Sequence, residues 1–231
     1  MKKLILWTLL VGMSMGVNVF AQVTGSVGFL TGTNKLTGEN KLIGEYEPIR
    51  DKASAVSNIQ KLQKGALLVR LKTRKKTIDA FKNSGYLKMA DQVEMKQKAK
   101  NQKLMNAFRK NFSFCEVYFF YSEDSEKIME GEYEGIFLNE NLEKDARIVL
   151  KEDFILTAEV GSIVKDPVSV DASGNEYAAT SGMSESVLII KDSNFEQLRR
   201  PFPYYVKAGD RFIDKKVAKL NKRLFAFAGI R

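Results

Sequence analysis

The chain has 231 residues, of which 44% are hydrophobic and 28% charged, a composition typical of a globular protein with one substantial core. Lysine and arginine outnumber aspartate and glutamate by 37 to 28, and there is no histidine. The absence of histidine excludes Ser-His-Asp and Cys-His nucleophile systems, and also zinc sites that contain histidine. Carboxylate chemistry, lysine-based catalysis and calcium sites built from oxygen ligands stay open.

The first 21 residues have the pattern of a signal peptide. Lys2 and Lys3 precede an apolar run over residues 4–11, and the segment ends in Val-Phe-Ala with cleavage expected after Ala21. Glycines and Asn18 interrupt the run, so it is poorly suited to span a bilayer. We therefore expect an exported protein, either periplasmic or at the outer surface or secreted, with no transmembrane segment after cleavage.

Residues 22–50 are rich in glycine and threonine and predict an extended N-terminal arm. The remaining chain, 51–231, is expected to form a single α/β domain. Ala55, Ile59 and Leu62 have helical spacing before Gly65, which predicts a helix over residues 51–63. The apolar run over residues 66–71 predicts the first core strand.

Two further helices are expected before the next strand. Thr73 is a candidate N-cap for a helix over residues 74–82, and Asn83-Ser84-Gly85 ends that helix. Helical spacing resumes over residues 86–112, where the middle, 96–103, is almost entirely polar. The pattern predicts a helical hairpin whose central part projects into solvent.

The aromatic run over residues 116–121 predicts the second core strand. A strand, a long helical crossover and a strand form a βαβ unit, so the two strands should be parallel. Further along, the sequence predicts a short helix (124–129), three strands (135–138, 154–160 and 187–191), a helical turn or short helix (193–199), an edge segment (201–206) and a C-terminal amphipathic helix (213–227). The predicted fold class is α/β, with a mixed, partly parallel sheet.

Charge is unevenly distributed along the chain. Residues 64–110 contain 14 basic and 3 acidic side chains, whereas residues 116–159 contain 4 basic and 13 acidic ones. A lysine-rich helix face can be merely solvated, or it can bind a polyanion. The acidic block can also neutralise the basic one, either within the fold or in a homo-oligomer.

Two groups of residues are candidates for binding an anion or a partner. The first group is the lysines of the hairpin: Lys96, Lys98, Lys100 and Lys103. The second lies around two rigid prolines and consists of Arg199, Arg200, Tyr204 and Tyr205, where arginine offers bidentate geometry and tyrosine a stacking face. The alternative for this second group is a surface turn that packs its aromatic rings on the core.

The expected partner is an anionic component of the cell envelope or an acidic protein. Nucleic acid is not expected, because an exported protein seldom meets it and the lysine-rich stretch lacks stacking aromatics.

Acidic residues offer weaker candidates. Glu123, Asp124 and Glu126 follow the second strand, but their spacing does not match a calcium loop, and exposed acids at a helix start are the simpler interpretation. Glu130, Glu132 and Glu134 alternate, which on a strand would place them on one face as a polar edge.

No metal, cofactor or catalytic residue is predicted. The single cysteine, Cys115, is expected to be a buried small hydrophobe, and the long loop over residues 161–186 has no assigned role.

Five segments in this order carry a family resemblance: GALLVRLKTRKKTIDAF, FCEVYFFYS, GIFLN, FILTAE and LIIKDSNFEQLRRPFPYYV. They are similar to uncharacterised exported proteins of Bacteroidota, from about Gly65 to the C-terminus. The resemblance implies an envelope protein and implies no activity or site.

Two functional hypotheses follow. The first is a non-enzymatic envelope protein that presents its basic helical hairpin to an anionic partner. The second is a carboxylate-dependent enzyme that acts on an exported saccharide or peptide, which requires two carboxylates about 5 to 10 Å apart in a cleft.

Overall fold

The computed structural model describes residues 49–163, 186–207 and 212–229, together with the backbone of 169–170 and 176–177. The predicted signal peptide, almost all of the predicted arm, and most of the loop 161–186 lie outside the described residues. No helix in the described ranges is long and apolar enough to span a bilayer.

The elements in chain order confirm most of the predicted helices and strands. The helices are α1 (Lys52–Lys64), α2 (Lys75–Asn83), α3 (Leu87–Asn111), α4 (Ser125–Glu130) and α5 (Ile213–Ala228). The strands are β1 (Ala66–Leu71), β2 (Glu116–Tyr121), β3 (Ile155–Gly161), β4 (Ser169–Val170), β5 (Glu176–Tyr177), β6 (Val187–Lys191) and β7 (Tyr205–Lys207).

Five of the strands form one mixed sheet in the order β2-β1-β3-β6-β7. β1 lies between β2 and β3 and is parallel to both, whereas β6 is antiparallel to β3 and to β7. β4 and β5 form a separate two-residue antiparallel ladder. This sheet, with α2 and α3 as the crossover from β1 to β2, confirms the predicted α/β class with its helical-hairpin crossover.

Apolar side chains cover both faces of β1. Leu67, Val69 and Leu71 belong to the larger core, to which α1, α3 and α5 contribute. Leu68 belongs to a smaller core on the opposite face, which includes Phe120 and Ile128 of α4. A strand that is buried on both faces reads as a continuous apolar run, which is why residues 66–71 were recognisable as a strand.

Three local predictions were wrong. Thr73 does not cap α2; the residue at that position is Arg74, which has a left-handed backbone with φ of 55°. Residues 136–138 are buried, but the segment 135–138 makes only single bridges, Phe137 to Phe120 and Leu138 to Lys144. A short apolar run therefore indicates that a segment is buried, but it does not by itself predict that the segment pairs as a β-strand.

The third wrong prediction concerns residues 193–199, which form a turn and no helix. The Asp192 carboxylate accepts hydrogen bonds from the backbone N–H groups of Asn194 and Glu196, at 3.0 and 2.8 Å. Phe195 inside this turn has a φ of 62°. An aspartate that bonds nearby backbone groups offers the chain an alternative to helix, and here that alternative is adopted.

The hairpin projects at a different place from the one expected. Residues 82–89, at the turn between α2 and α3, are all exposed. Within the stretch 96–103, Asn101 is only 5% exposed and its side chain holds α3 against the chain that leaves β1. One side of the polar middle of α3 is therefore anchored, whereas Lys96, Lys98, Lys100 and Lys103 are exposed.

Candidate anion-binding site

A cleft lies at the carboxyl ends of β1 and β3, where open α/β sheets commonly bind ligands. The chain leaving β1 supplies one wall and α3 supplies the opposite wall. The end of β3, the residue before β6 and the first residue of α5 complete it. Its volume is about 350 Å³, near the lower end of the range for small-molecule sites.

The lining of this cleft is strongly basic. Its cationic side chains are Arg70, Lys72, Arg74, Lys100 and Lys103. Its uncharged polar residues are Gln97, Asn101, Ser162 and Ser186. None of the lining residues that the structure describes is an aspartate, a glutamate or an aromatic residue. The part of the cleft that the structure describes therefore presents positive charge without a carboxylate in its lining.

Asn101 holds the two walls together. Its Nδ2 donates to the backbone carbonyl of Lys72 at 2.9 Å, and its Oδ1 accepts from Gln97 Nε2 at 2.9 Å. Because a buried polar side chain is costly unless its hydrogen bonds are made, this pairing stabilises α3 against the chain that leaves β1. It fixes Lys72 on one side of the cleft and Lys100 on the other.

Backbone conformation places Arg74 at the start of α2. A left-handed conformation costs an L-residue roughly 1 to 2 kcal/mol relative to the right-handed one. No side-chain hydrogen bond caps this helix start. Strain of this kind clusters at functional sites, and here it occurs at a residue that lines the cleft.

Arg70 lines the cleft and belongs to a network in which one carboxylate, that of Glu159, serves two cations. Arg70 Nη1 donates to Glu159 Oε2 at 2.7 Å, and Lys191 Nζ lies 2.8 Å from Glu159 Oε1. Glu159 is 7% exposed. Burial alone raises the pKa of Glu159, but the hydrogen bonds from Lys191 and Arg70 outweigh it, so the pKa lies below its ordinary value. The carboxylate stays ionised and serves both cations.

Two further contacts orient the Arg70 guanidinium. Its Nε donates to Ser125 Oγ at 2.8 Å, and Ser125 Oγ donates to the backbone carbonyl of Ser122 at 2.7 Å. The guanidinium carbon lies 5.4 Å from the centre of the Phe195 ring, within the range of a cation–π contact. Arg70 is therefore held by a carboxylate, a hydroxyl and an aromatic face at once.

The predicted hairpin lysines divide into two pairs. Lys100 and Lys103 line the cleft, whereas Lys96 and Lys98 are exposed on α3 and do not line it. Lys98 lies about 200° around the helix from both Lys96 and Lys100, because each residue advances the helix by about 100°. The predicted set is thus only half contained in the cleft.

The two arginines of the second predicted group lie toward the other end of the sheet. Strand register places Val187 beside Gly161 at the cleft end and Lys191 beside Thr157 toward the far end. Gln197, just before Arg199 and Arg200, bridges to Lys191, so the two exposed arginines lie away from the cleft.

The tyrosines of that group pack on the protein. Tyr204 is 9% exposed and its ring centre lies 4.9 Å from that of half-buried Tyr205. This arrangement is the packed surface turn that the sequence left open as the alternative. Arg199 and Arg200 are joined to it through a cis peptide bond between Arg200 and Pro201.

Three cationic residues of the cleft were absent from the predicted site: Arg70, Lys72 and Arg74. They occupy every second position, beginning near the carboxyl end of β1 and continuing beyond the strand. This spacing could have identified them from the sequence, since charged residues at the carboxyl end of an apolar strand lie at the sheet edge where ligands bind.

The acidic candidates are engaged elsewhere. Asp124 is not the exposed acid that was predicted: it is 6% exposed, and its carboxylate oxygens lie 2.7 and 2.8 Å from Lys144 Nζ. Glu123 is exposed and lies 3.9 Å from Lys75. Glu130, Glu132 and Glu134 are exposed in and around a turn, without a shared strand face. Among the described residues, no cluster of acidic or sulfur ligands could hold a metal ion.

Cys115 is partly buried and packs against the larger core. Burial raises the pKa of its thiol well above the ordinary value, and the neighbouring Glu116 adds to the effect. A thiol that stays protonated is a poor nucleophile. Its packing against the core agrees with the predicted hydrophobic role.

No family model, curated protein or solved structure matches this chain. The resemblance to exported Bacteroidota proteins therefore stays a prediction from the sequence.

Proposed function

We propose that this is an exported envelope protein, a non-enzymatic binding module that holds an anionic ligand in the basic cleft. The observation that carries the proposal is the convergence of five cationic side chains on one cleft whose described lining has no carboxylate. Lys72, Arg74 and Lys103 make no ion pair with any carboxylate in the described ranges. An anion bound there would supply the missing negative charge.

The chemistry of the lining favours a compact, charged ligand. Arginine binds carboxylate, phosphate or sulfate groups in bidentate geometry, and lysines add point charges around it. Aromatic faces that would stack a nucleobase are lacking among the described lining residues. An acidic saccharide or the head of an anionic glycolipid fits these features and also fits the expected compartment.

Export is the other half of the proposal, and the pattern of residues 1–21 supports it. An exported protein meets acidic polysaccharides and glycolipids far more often than nucleic acid. The compartment therefore favours an envelope polyanion as the source of the ligand. The described lining of the cleft contains no pair of carboxylates, so it offers no support for the carboxylate-dependent enzyme.

Two double charge reversals test the proposal with equal changes in net charge. The first pair, Lys72→Glu with Lys103→Glu, changes the cleft. The second pair, Lys96→Glu with Lys98→Glu, changes exposed lysines of the same region that do not line it. Retention on an immobilised sulfated polysaccharide is measured as the NaCl concentration that elutes each protein.

We expect the cleft pair to elute at a much lower salt concentration than the wild type, and the outer pair to elute close to it. Equal losses in both variants would reduce the binding to net charge and overturn the cleft as the site. Loss in the outer pair alone would assign binding to lysines of α3 outside the cleft, again against the cleft.

A further inference from the structure

The turn between α2 and α3 carries exposed apolar side chains that the cleft does not use. Tyr86 and Leu87 are each 60% exposed, and Met89 is 48% exposed. They follow Gly85, whose φ of 78° lets the chain reverse direction between the two helices. We call Tyr86, Leu87 and Met89 the hairpin tip.

Two lysines flank the hairpin tip. They are Lys82 and Lys88, and residues 82–90 contain no aspartate or glutamate. The acids of the hairpin, Asp79, Asp91 and Glu94, lie further from the turn along the chain. Glu94 comes within 3.8 Å of Lys82, an exposed and therefore weak pair. At the turn between α2 and α3, the apolar hairpin tip and its flanking lysines are therefore all exposed to solvent.

The three side chains are arranged around the end of the hairpin. Leu87 and Met89 lie about 200° apart around α3, and Tyr86 precedes the helix. A helix that docks in a groove of a protein presents its apolar anchors along one stripe, at intervals of three and four residues. Apolar side chains distributed around the end of a helical hairpin are better suited to enter a broad surface with that end first.

We propose that the hairpin tip inserts into the interface of an anionic lipid bilayer. Leu87 and Met89 would lie at the boundary of the acyl chains, where burial of apolar surface is favourable. Tyr86 has the amphipathic ring that is enriched at such interfaces. Lys82 and Lys88 would contact anionic headgroups, which attract basic residues near the surface.

The inference is independent of ligand binding in the cleft. Leu87 and Lys100 are 13 positions apart on α3, which corresponds to about 20 Å along the helix axis. The tip and the cleft therefore lie at separate levels of the same hairpin. A protein held at a membrane by its tip would present the cleft about 20 Å farther along α3.

A tryptophan placed in the tip reports insertion directly. The chain has one tryptophan, Trp7, which lies in the predicted signal peptide, so Tyr86→Trp gives a mature protein, from Gln22, whose single indole lies at the tip. A matched control places the indole at Val149, which is 61% exposed and lies on neither α2 nor α3. Both proteins are mixed with phosphatidylglycerol vesicles and, separately, with phosphatidylcholine vesicles, and the emission maximum is recorded.

We expect a blue shift for Tyr86→Trp on phosphatidylglycerol vesicles, with little change on phosphatidylcholine vesicles or for the Val149→Trp control. Adding Lys82→Glu and Lys88→Glu should weaken vesicle affinity by about tenfold or more, given the attraction of each lysine to an anionic surface. The same number of reversals on α5, Lys219→Glu with Lys222→Glu, should have a smaller effect.

Three results would overturn the inference. The first is an unshifted emission maximum for Tyr86→Trp on anionic vesicles. The second is an equal shift for Val149→Trp. The third is a shift that depends on protein concentration in the absence of lipid, which would assign the tip to contact with a second copy of the chain.

Discussion

The cations in and around the cleft form two groups that differ in whether a carboxylate of the protein pairs with them. In the first, which we call the lower group, Arg70 and Lys191 share Glu159, and each carboxylate oxygen receives one of them. In the second, the upper group, Lys72, Arg74 and Lys103 line the cleft, and no described carboxylate pairs with any of the three. Both cations of the lower group therefore have a carboxylate partner within the protein, whereas the three cations of the upper group have none among the described residues.

The difference follows from solvent exposure. The side chain of Glu159 is 9% exposed and those of Arg70 and Lys191 are 27% and 20% exposed, so these charges need partners inside the fold. The cations of the upper group are exposed, so water solvates them when no ligand is bound. The lower group therefore stabilises the fold and positions Arg70, while the upper group is available for binding.

The largest effect should come from removing Glu159. Glu159→Gln leaves Arg70 and Lys191 without their shared carboxylate. Breaking a fully buried pair costs about 3 to 5 kcal/mol; because the two cations are partly exposed, we expect a loss of about 2 kcal/mol in the free energy of unfolding. Urea denaturation measures it, and Glu140→Gln, which breaks an exposed pair with Arg109, should cost less than about 0.5 kcal/mol.

The pH dependence of the stability lost in Glu159→Gln tests whether the charge of Glu159 causes that loss. The pKa of Glu159 lies below its ordinary value of 4.5, so its contribution is present above about pH 4.5 and is lost as pH falls through the lowered pKa. The gap in stability between wild type and Glu159→Gln should shrink on acidification. A gap that stayed constant down to low pH would mean that Glu159 contributes through packing alone.

A smaller effect is expected at Arg74. Glycine adopts the left-handed region without the steric cost that arginine bears, so Arg74→Gly should raise the free energy of unfolding by up to about 1 kcal/mol. The same change removes a cation from the cleft and should weaken retention on the sulfated polysaccharide. Stability would rise while binding falls.

Arg74→Ala is the matched variant, because it removes the charge and keeps the left-handed backbone under strain. It should weaken retention equally without the gain in stability. Equal stabilities for the alanine and glycine variants would show that the backbone of Arg74 stores no strain.

Strands and helices were predictable where burial imposes a simple pattern on the sequence. The run over residues 66–71 is apolar because β1 is covered on both faces, and α5 repeats its apolar residues at helical spacing because one side packs on the core. Residues 135–138 show the limit of this reasoning. The same apolar character occurs there in a buried segment with only single bridges.

The cleft was only partly predictable, since its parts come from distant places in the chain. Arg70 and Glu159 are 89 residues apart, and they meet because β1 and β3 pair in a register that aligns them. Lys100 and Lys103 were found as members of a lysine-rich helix. Which of those lysines face the sheet depends on the packing of α3, and sequence counts cannot show it.

The central claim is that the anion binds in the cleft rather than at exposed lysines of α3 outside it. Lysine acetylation of the wild-type protein, followed by mass spectrometry, compares the two surfaces in one sample. Lys72 and Lys103 represent the cleft, and Lys96 and Lys98 represent the outer surface.

We predict that an added sulfated polysaccharide lowers the acetylation rate of Lys72 and Lys103 several-fold and leaves Lys96 and Lys98 nearly unchanged. Protection of Lys96 and Lys98 alone, or equal protection of all four lysines, would contradict the account.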